Sequence, residues 1–201
     1  MRIFVSLLAA LILAACSEKP AAETKKAPEP PPAPITGRRA FQFTFGPAHA
    51  WATDCQPMHV RSINLATPKS GDGKAGAWEV LYVSQSRGQQ RIYTWSAVEA
   101  EGNLHKGVFA GLEESWDGPA GQSQSFLPAA LRIDTPDAFH TAIDQSAEYI
   151  RKSKKKPRVN FQLEQTSRFP DPVWRVFWGE SISGAEWSVF IDATNGQYLG
   201  H

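Results

Sequence analysis

"VWRVFWGESISGAEWSVFIDATNGQYLGH", Val173–His201, closes the chain, and its reading decides the fold. It reads as strand, turn, strand, turn and short final strand. In the second turn Asp192 can cap backbone amides, and Asn195-Gly196 can take the positive backbone angles that a tight reversal requires. The stretch has a counterpart upstream, "AWEVLYVSQSRGQQRIYTWSAVEAEGNLHKG", Ala77–Gly107. Trp78 aligns with Trp174 and Val80 with Val176. With two residues fewer in the second hairpin, Tyr93-Trp95-Ala97 aligns with Trp187-Val189-Ile191, and Gly102 with Gly196. An internal repeat of this kind bears on every other assignment.

The segments preceding the two copies correspond as well. "DTPDAFHTAIDQSAEYIRKSKKKP" opens on an Asp or Thr cap with a proline in the first turn. It then places Ala138, Ile143, Ala147 and Ile150 at approximately helical spacing, predicting a helix over Thr135–Ile150. "RVNFQLEQTS" alternates Val159, Phe161 and Leu163 with polar residues, as a half-buried strand does. In the first half, "FGPAHAWATDCQP" is the helix candidate and "MHVRSINLA" the strand candidate. The predicted fold class is α+β: two tandem helix-plus-antiparallel-sheet units packed together, each helix covering the apolar face of its strands. The first unit spans 38–116, a loop-rich connecting segment 117–133, and the second unit 134–201.

The N-terminus carries a different signal. "MRIFVSLLAALILAAC" has one Arg, an apolar run from Ile3 to Leu13 and then small residues. This is the layout of a secretory signal, and it is shorter than the ~20 residues of a membrane-spanning helix. Leu13-Ala14-Ala15-Cys16 resembles the lipobox of bacterial lipoproteins. That resemblance implies cleavage after residue 15, a diacylglycerol on the Cys16 thiol, acylation (a palmitate-type chain) of the new amino group, and a location in the bacterial cell envelope facing the periplasm. Ser17 rather than Asp after the lipidated cysteine favours the outer membrane. Residues 16–37, rich in Pro, Ala, Lys and Glu, cannot build a core and read as an extended tether reaching at most roughly 60 Å.

The second unit resembles the PepSY domain, found in propeptides of thermolysin-like peptidases and in many bacterial envelope proteins. The likeness lies in the Thr135–Ile150 helix, "PVWRVFW" at Pro172–Trp178 and "AEWSVFIDATNGQYLG" at Ala185–Gly200. The first unit reads as a divergent PepSY-like copy, with Glu99-Ala100-Glu101-Gly102 in place of the Asp-Ala-x-x-Gly turn. The resemblance implies a non-catalytic module that binds or regulates a protein partner such as a peptidase.

Composition narrows the remaining classes. With 21 Lys+Arg against 20 Asp+Glu in 201 residues, the chain lacks the basic excess of a nucleic-acid binder. Its five histidines show no HExxH pairing, and there is no CxxC and no GxSxG elbow. No catalytic, cofactor or metal residues are therefore assigned, and the chain is not read as an enzyme. Cys55, in "ATDCQP", reads as a small buried hydrophobe. The alternative function is small-ligand or substrate binding in a groove lined by Trp78, Trp95, Trp174 and Trp178. These same rings are equally explained as packing residues. The run Arg151, Lys152, Lys154, Lys155, Lys156 and Arg158 either complements a helix C-terminus or contacts an anionic lipid surface or acidic partner.

Overall fold

A computed structural model describes residues 30–119, 121–154 and 158–201. They form the unit Pro32–His201; a separate unit, Met1–Pro31, lies all but wholly outside the described residues. In chain order the elements are β1 (Ile35–Thr36), α1 (Gly37–Trp51), β2 (Gln56–Ile63), β3 (Lys74–Ala75), β4 (Ala77–Ser84), β5 (Gln89–Ser96), β6 (Gly107–Ser115) and β7 (Ser123–Gln124). A 3-10 turn at Pro128–Ala130 leads to α2 (Thr135–Gln145), α3 (Ala147–Lys152), β8 (Val159–Thr166), β9 (Val173–Trp178), β10 (Trp187–Asp192) and β11 (Tyr198–Gly200).

The α+β class holds, but the halves do not form two separate sheets. Eight strands make one antiparallel sheet in the order β11-β10-β9-β8-β2-β4-β5-β6, and β7 pairs with β8 at Gln165 and Thr166, just past the residues that β8 pairs with β2. β2 of the first half and β8 of the second join directly, through His59 opposite Glu164, Val60 opposite Leu163 and Arg61 opposite Gln162.

The register explains the core. Paired residues share a face, and one row runs Ile191, Trp174, Leu163, Val60, Val80, Tyr93 and Ala110 across seven strands. The first six of these are buried. Burying side chains of this size contributes about 1.5–3 kcal/mol each, so this face has to be covered. Helices α1 and α2 lie on it: Thr44 of α1 hydrogen-bonds Tyr82 at 3.0 Å, and Phe139 of α2 meets Phe161 edge-on. The adjacent row, Phe190, Arg175, Gln162, Arg61, Glu79, Thr94 and Phe109, is largely polar and occupies the opposite face, which carries no helix.

Helix α1 begins at Gly37, within the stretch expected to be tether and well before Phe45. Thr36 caps it, its Oγ1 accepting the Arg39 amide at 3.3 Å, and Ala40, Phe41, Thr44 and Ala48 form its buried stripe. Pro47 stands inside the helix, where it cannot donate to the Phe43 carbonyl. The helix expected over Thr135–Ile150 is two. It breaks at Ser146, whose backbone leaves helical geometry (φ −107°, ψ 10°) and whose hydroxyl accepts the Trp187 indole at 3.0 Å.

The repeat is visible in three dimensions with one correction. Trp78 pairs across its hairpin with Trp95, and Trp174 with Ile191, so Trp95 occupies the place of Ile191 rather than of Val189. Each repeated tryptophan does the same work: Trp78 donates its indole N–H to the Ile35 carbonyl at 3.0 Å, and Trp174 donates to that of Ile133 at 2.9 Å. Each acceptor immediately precedes a helix cap, Thr36 or Asp134. The two helix starts meet: the Gly37 amide donates to Thr135 Oγ1 at 2.9 Å, and the Arg38 amide to Asp134 Oδ1 at 3.0 Å.

Candidate functional site

The aromatic residues considered for a ligand groove are mostly core. Trp78 and Trp174 are 0% exposed and Trp178 is 4% exposed, so none of the three offers a ring to a ligand in this conformation. Trp95 alone is partly open, stacked on Phe43 at 6.3 Å between centroids, and the Arg39 guanidinium lies over the Phe43 ring at 4.4 Å. A groove built from all four tryptophans is not formed.

The turn at Asp192 is a backbone cap. Asp192 Oδ1 accepts the amides of Thr194 at 2.7 Å and Asn195 at 3.3 Å, Oδ2 accepts the Asn195 side-chain amide at 3.0 Å, and Gly196 takes φ +82°. Among the described residues no three His, Cys, Asp or Glu side chains cluster in a way that could hold a metal ion. Cys55 is buried in the core, and burial pushes its thiol up, reinforced by the nearby Asp54 charge. Glu79, on the helix-free face, is pushed up by burial but ends below its ordinary value, because hydrogen bonds and charges from His59 (3.1 Å) and Arg61 (2.8 Å) outweigh that penalty.

The basic run is described only in part. Lys152 pairs with Glu148 one turn away at 2.6 Å, Arg151 and Lys154 are exposed, and Arg158 lies on the far side of 155–157, lining a cleft beside the strand seam. Lys155, Lys156 and Cys16, the expected lipidation residue, lie outside the described residues.

Two surfaces emerge that the sequence did not single out. The first is the helix-free face beside β6, which with β11 forms the two edges of the sheet among the described residues. Arg91 pairs with Glu113 and Tyr93 with Ala110, leaving Gly111 and Leu112 together opposite Ile92: a β-bulge. The Arg91 Nε donates to the Gly111 carbonyl at 2.8 Å and holds the bulge, while Leu112 stands 87% exposed. Leu81, Ile92, Phe109 and Leu112 line a groove of about 210 Å³ here, rimmed by Gly102 and Asn103. In the second half the same face is covered: Phe169, from the β8–β9 turn, packs on Phe190 at 5.3 Å, and Arg168 lies within 5 Å of both rings. The second surface is the cleft containing Arg158.

No protein-family model matches this chain, and no curated protein matches it. Among solved structures, a crystal structure from Clostridium difficile 630, described as a "putative lipoprotein", superposes with a TM-score of 0.48 at 9% identity, covering 80% of this chain and 90% of that one.

Proposed function

We propose that this chain is a lipid-anchored, non-catalytic module of the bacterial cell envelope that works by binding a segment of a protein partner such as a peptidase. The signal-like N-terminus and Leu13-Ala14-Ala15-Cys16 support the anchor, and the helix-plus-antiparallel-strand plan of each half accords with a PepSY-like module. The observation that carries the binding reading is the uncovered groove of Leu81, Ile92, Phe109 and Leu112 beside an edge strand. A leucine 87% exposed in a strand gains nothing for the fold, whereas apolar patches rimmed by polar residues mark interaction sites. The occupant that suits it is an extended segment with an apolar side chain for the groove and a backbone that can meet the free edge at Gly107–Ala110.

The test is photo-crosslinking in the native envelope, with a photoreactive residue at position 112 and, as control, at the exposed Asp144 on α2. A discrete adduct with another envelope protein from position 112, absent from position 144, is expected. No adduct, or one with the mass of two copies of this chain, refutes the partner reading. In parallel, Cys16→Ser is expected to move the chain from the membrane to the soluble fraction, and retention in the membrane refutes the lipid anchor.

A further inference from the structure

The seam between β2 and β8 opens into a cleft whose chemistry is independent of the β6 surface. Regular pairing covers only His59–Arg61 against Gln162–Glu164. Past that point side chains take over. The Phe161 amide donates to Ser62 Oγ at 2.9 Å, Asn64 Nδ2 donates to Asn160 Oδ1 at 2.6 Å, and Asn160 Nδ2 donates to the Gly179 carbonyl at 2.6 Å. These bonds hold the strands apart as a fixed wedge. On the helix side of the wedge is a cavity of about 540 Å³, within the range of small-molecule sites, which run to roughly 300–1,000 Å³.

Its lining divides into two chemistries. Leu65, Phe139, Val159 and Phe161 supply apolar surface, while Lys69, Lys74 and Arg158 bring three positive charges against the single carboxylate of Asp72. No ion pair engages Lys69, Lys74 or Arg158 among the described residues. The Ser70 hydroxyl, also in the lining, is shielded from solvent and has no hydrogen-bond partner among the described residues.

The turn carrying Lys74 is fixed on both sides. Gly71 and Lys74 exchange both backbone hydrogen bonds at 2.9 Å around a two-residue turn, with Asp72 at φ +48° and Gly73 at φ +75°. Gly73 packs so closely on the start of α2 that a Cβ there would lie 2.4 Å from the Pro136 nitrogen. Lys74 is also held from the other side, since β3 pairs with β1, Thr36 opposite Lys74. The backbone that carries Lys74 beside the apolar floor is thus fixed before binding, which lowers the ordering cost.

We infer that this cleft binds a small amphipathic anion: an apolar body resting on Phe139, Phe161, Val159 and Leu65, with a carboxylate or phosphate between Lys69, Lys74 and Arg158. Such a molecule could arrive free or as a membrane lipid, and the two sources are separable. The full chain in phosphatidylcholine nanodiscs is titrated with 4-phenylbutyrate, with binding followed by saturation-transfer NMR. Saturable binding is expected, about tenfold weaker in Lys74→Glu/Arg158→Glu and for the neutral 4-phenylbutanol, and unchanged in Arg151→Glu/Lys154→Glu. The four positions are exposed, so both double variants keep the fold, which circular dichroism checks. Repeating the titration in nanodiscs containing phosphatidylglycerol then identifies the source: loss of phenylbutyrate binding marks an anionic lipid as occupant, and retention marks a soluble ligand. The inference is overturned by no saturable binding, by equal binding of 4-phenylbutanol, by inorganic phosphate competing as well as phenylbutyrate, or by indifference to the Lys74/Arg158 reversal.

Discussion

Gly37 lies where the two halves touch, and its missing side chain is what lets them touch. A Cβ there would meet Trp174 Cη2 at 2.7 Å, Thr135 Cγ2 at 2.9 Å and Trp78 Cη2 at 3.1 Å. None of the three can yield easily, because both indoles are fully buried and tied by their N–H to helix-start carbonyls. Gly37→Ala is therefore expected to lower stability by about 1–3 kcal/mol through overpacking, although alanine improves helix propensity. Urea denaturation measures it, and an unchanged midpoint would refute the convergence. A second residue governs behaviour in acid. Asp54 accepts the Ser84 hydroxyl at 2.6 Å and the Ser86 amide at 2.9 Å, and these bonds lower its pKa from 3.8 to about 2. A carboxylate depressed in the fold adds stability that is complete above its unfolded value and disappears as pH falls through the folded value. Asp54→Asn should accordingly destabilise at pH 6 by no more than about 1 kcal/mol, since the group is solvent-screened. That deficit should shrink between pH 4 and pH 2, and a constant deficit across denaturation curves at pH 6, 4 and 2.5 would show that charge plays no part.

At the scale of elements, the edge strand β6 separates binding from stability. Leu112 is placed by the bulge and is almost wholly solvated, so Leu112→Ser is expected to shift stability by less than about 0.5 kcal/mol. The same change should abolish the adduct formed from a photoreactive residue moved to the neighbouring position 114; an adduct of undiminished yield would take Leu112 out of the contact. Elements also show what could be read before folding. The alternation in Val159–Leu163 and the paired hairpins were legible because strand periodicity is local, and so was the Asp192 cap. Helix α1 was legible only from Phe45 to Trp51; its start was not, because Gly37 is a poor helix residue whose placement depends on Trp78, Trp174 and Thr135, all distant in sequence. The break at Ser146 escaped for a similar reason: its partner is the Trp187 indole, 41 residues away. The repeated tryptophans were recognisable as a pair, but their burial follows from the joining of β2 to β8, which no hairpin pattern encodes. The groove and the cleft were equally hidden: one needs the register of a bulge, the other the divergence of two strands about a hundred residues apart.

For the whole molecule, the decisive feature is that neither half owns its core. Val60 of the first half pairs with Leu163 of the second, and each is 0% exposed. Trp174 of the second half packs against the start of the first helix, and Asp134, which caps α2, also accepts the Arg38 amide of α1. Removing one half would unpair the seam edge of β2 or β8, at His59–Arg61 or Gln162–Glu164, and open the buried row that crosses it, and unpaired apolar edges are where chains aggregate. Two separately packed units would unfold with two stabilities, whereas one shared sheet requires one. Native-state hydrogen exchange of the full chain distinguishes these cases, because the slowest amides report global opening. The amides of Val80 and Val176, one from each half, should exchange with the same opening free energy and the same urea dependence. The coupling at the seam should carry through as well: Gly37→Ala, although it lies in the first half, should lower the protection of Val176 as much as that of Val80. A loss confined to Val80 would mean that the halves open independently and that the continuous sheet is not the cooperative unit.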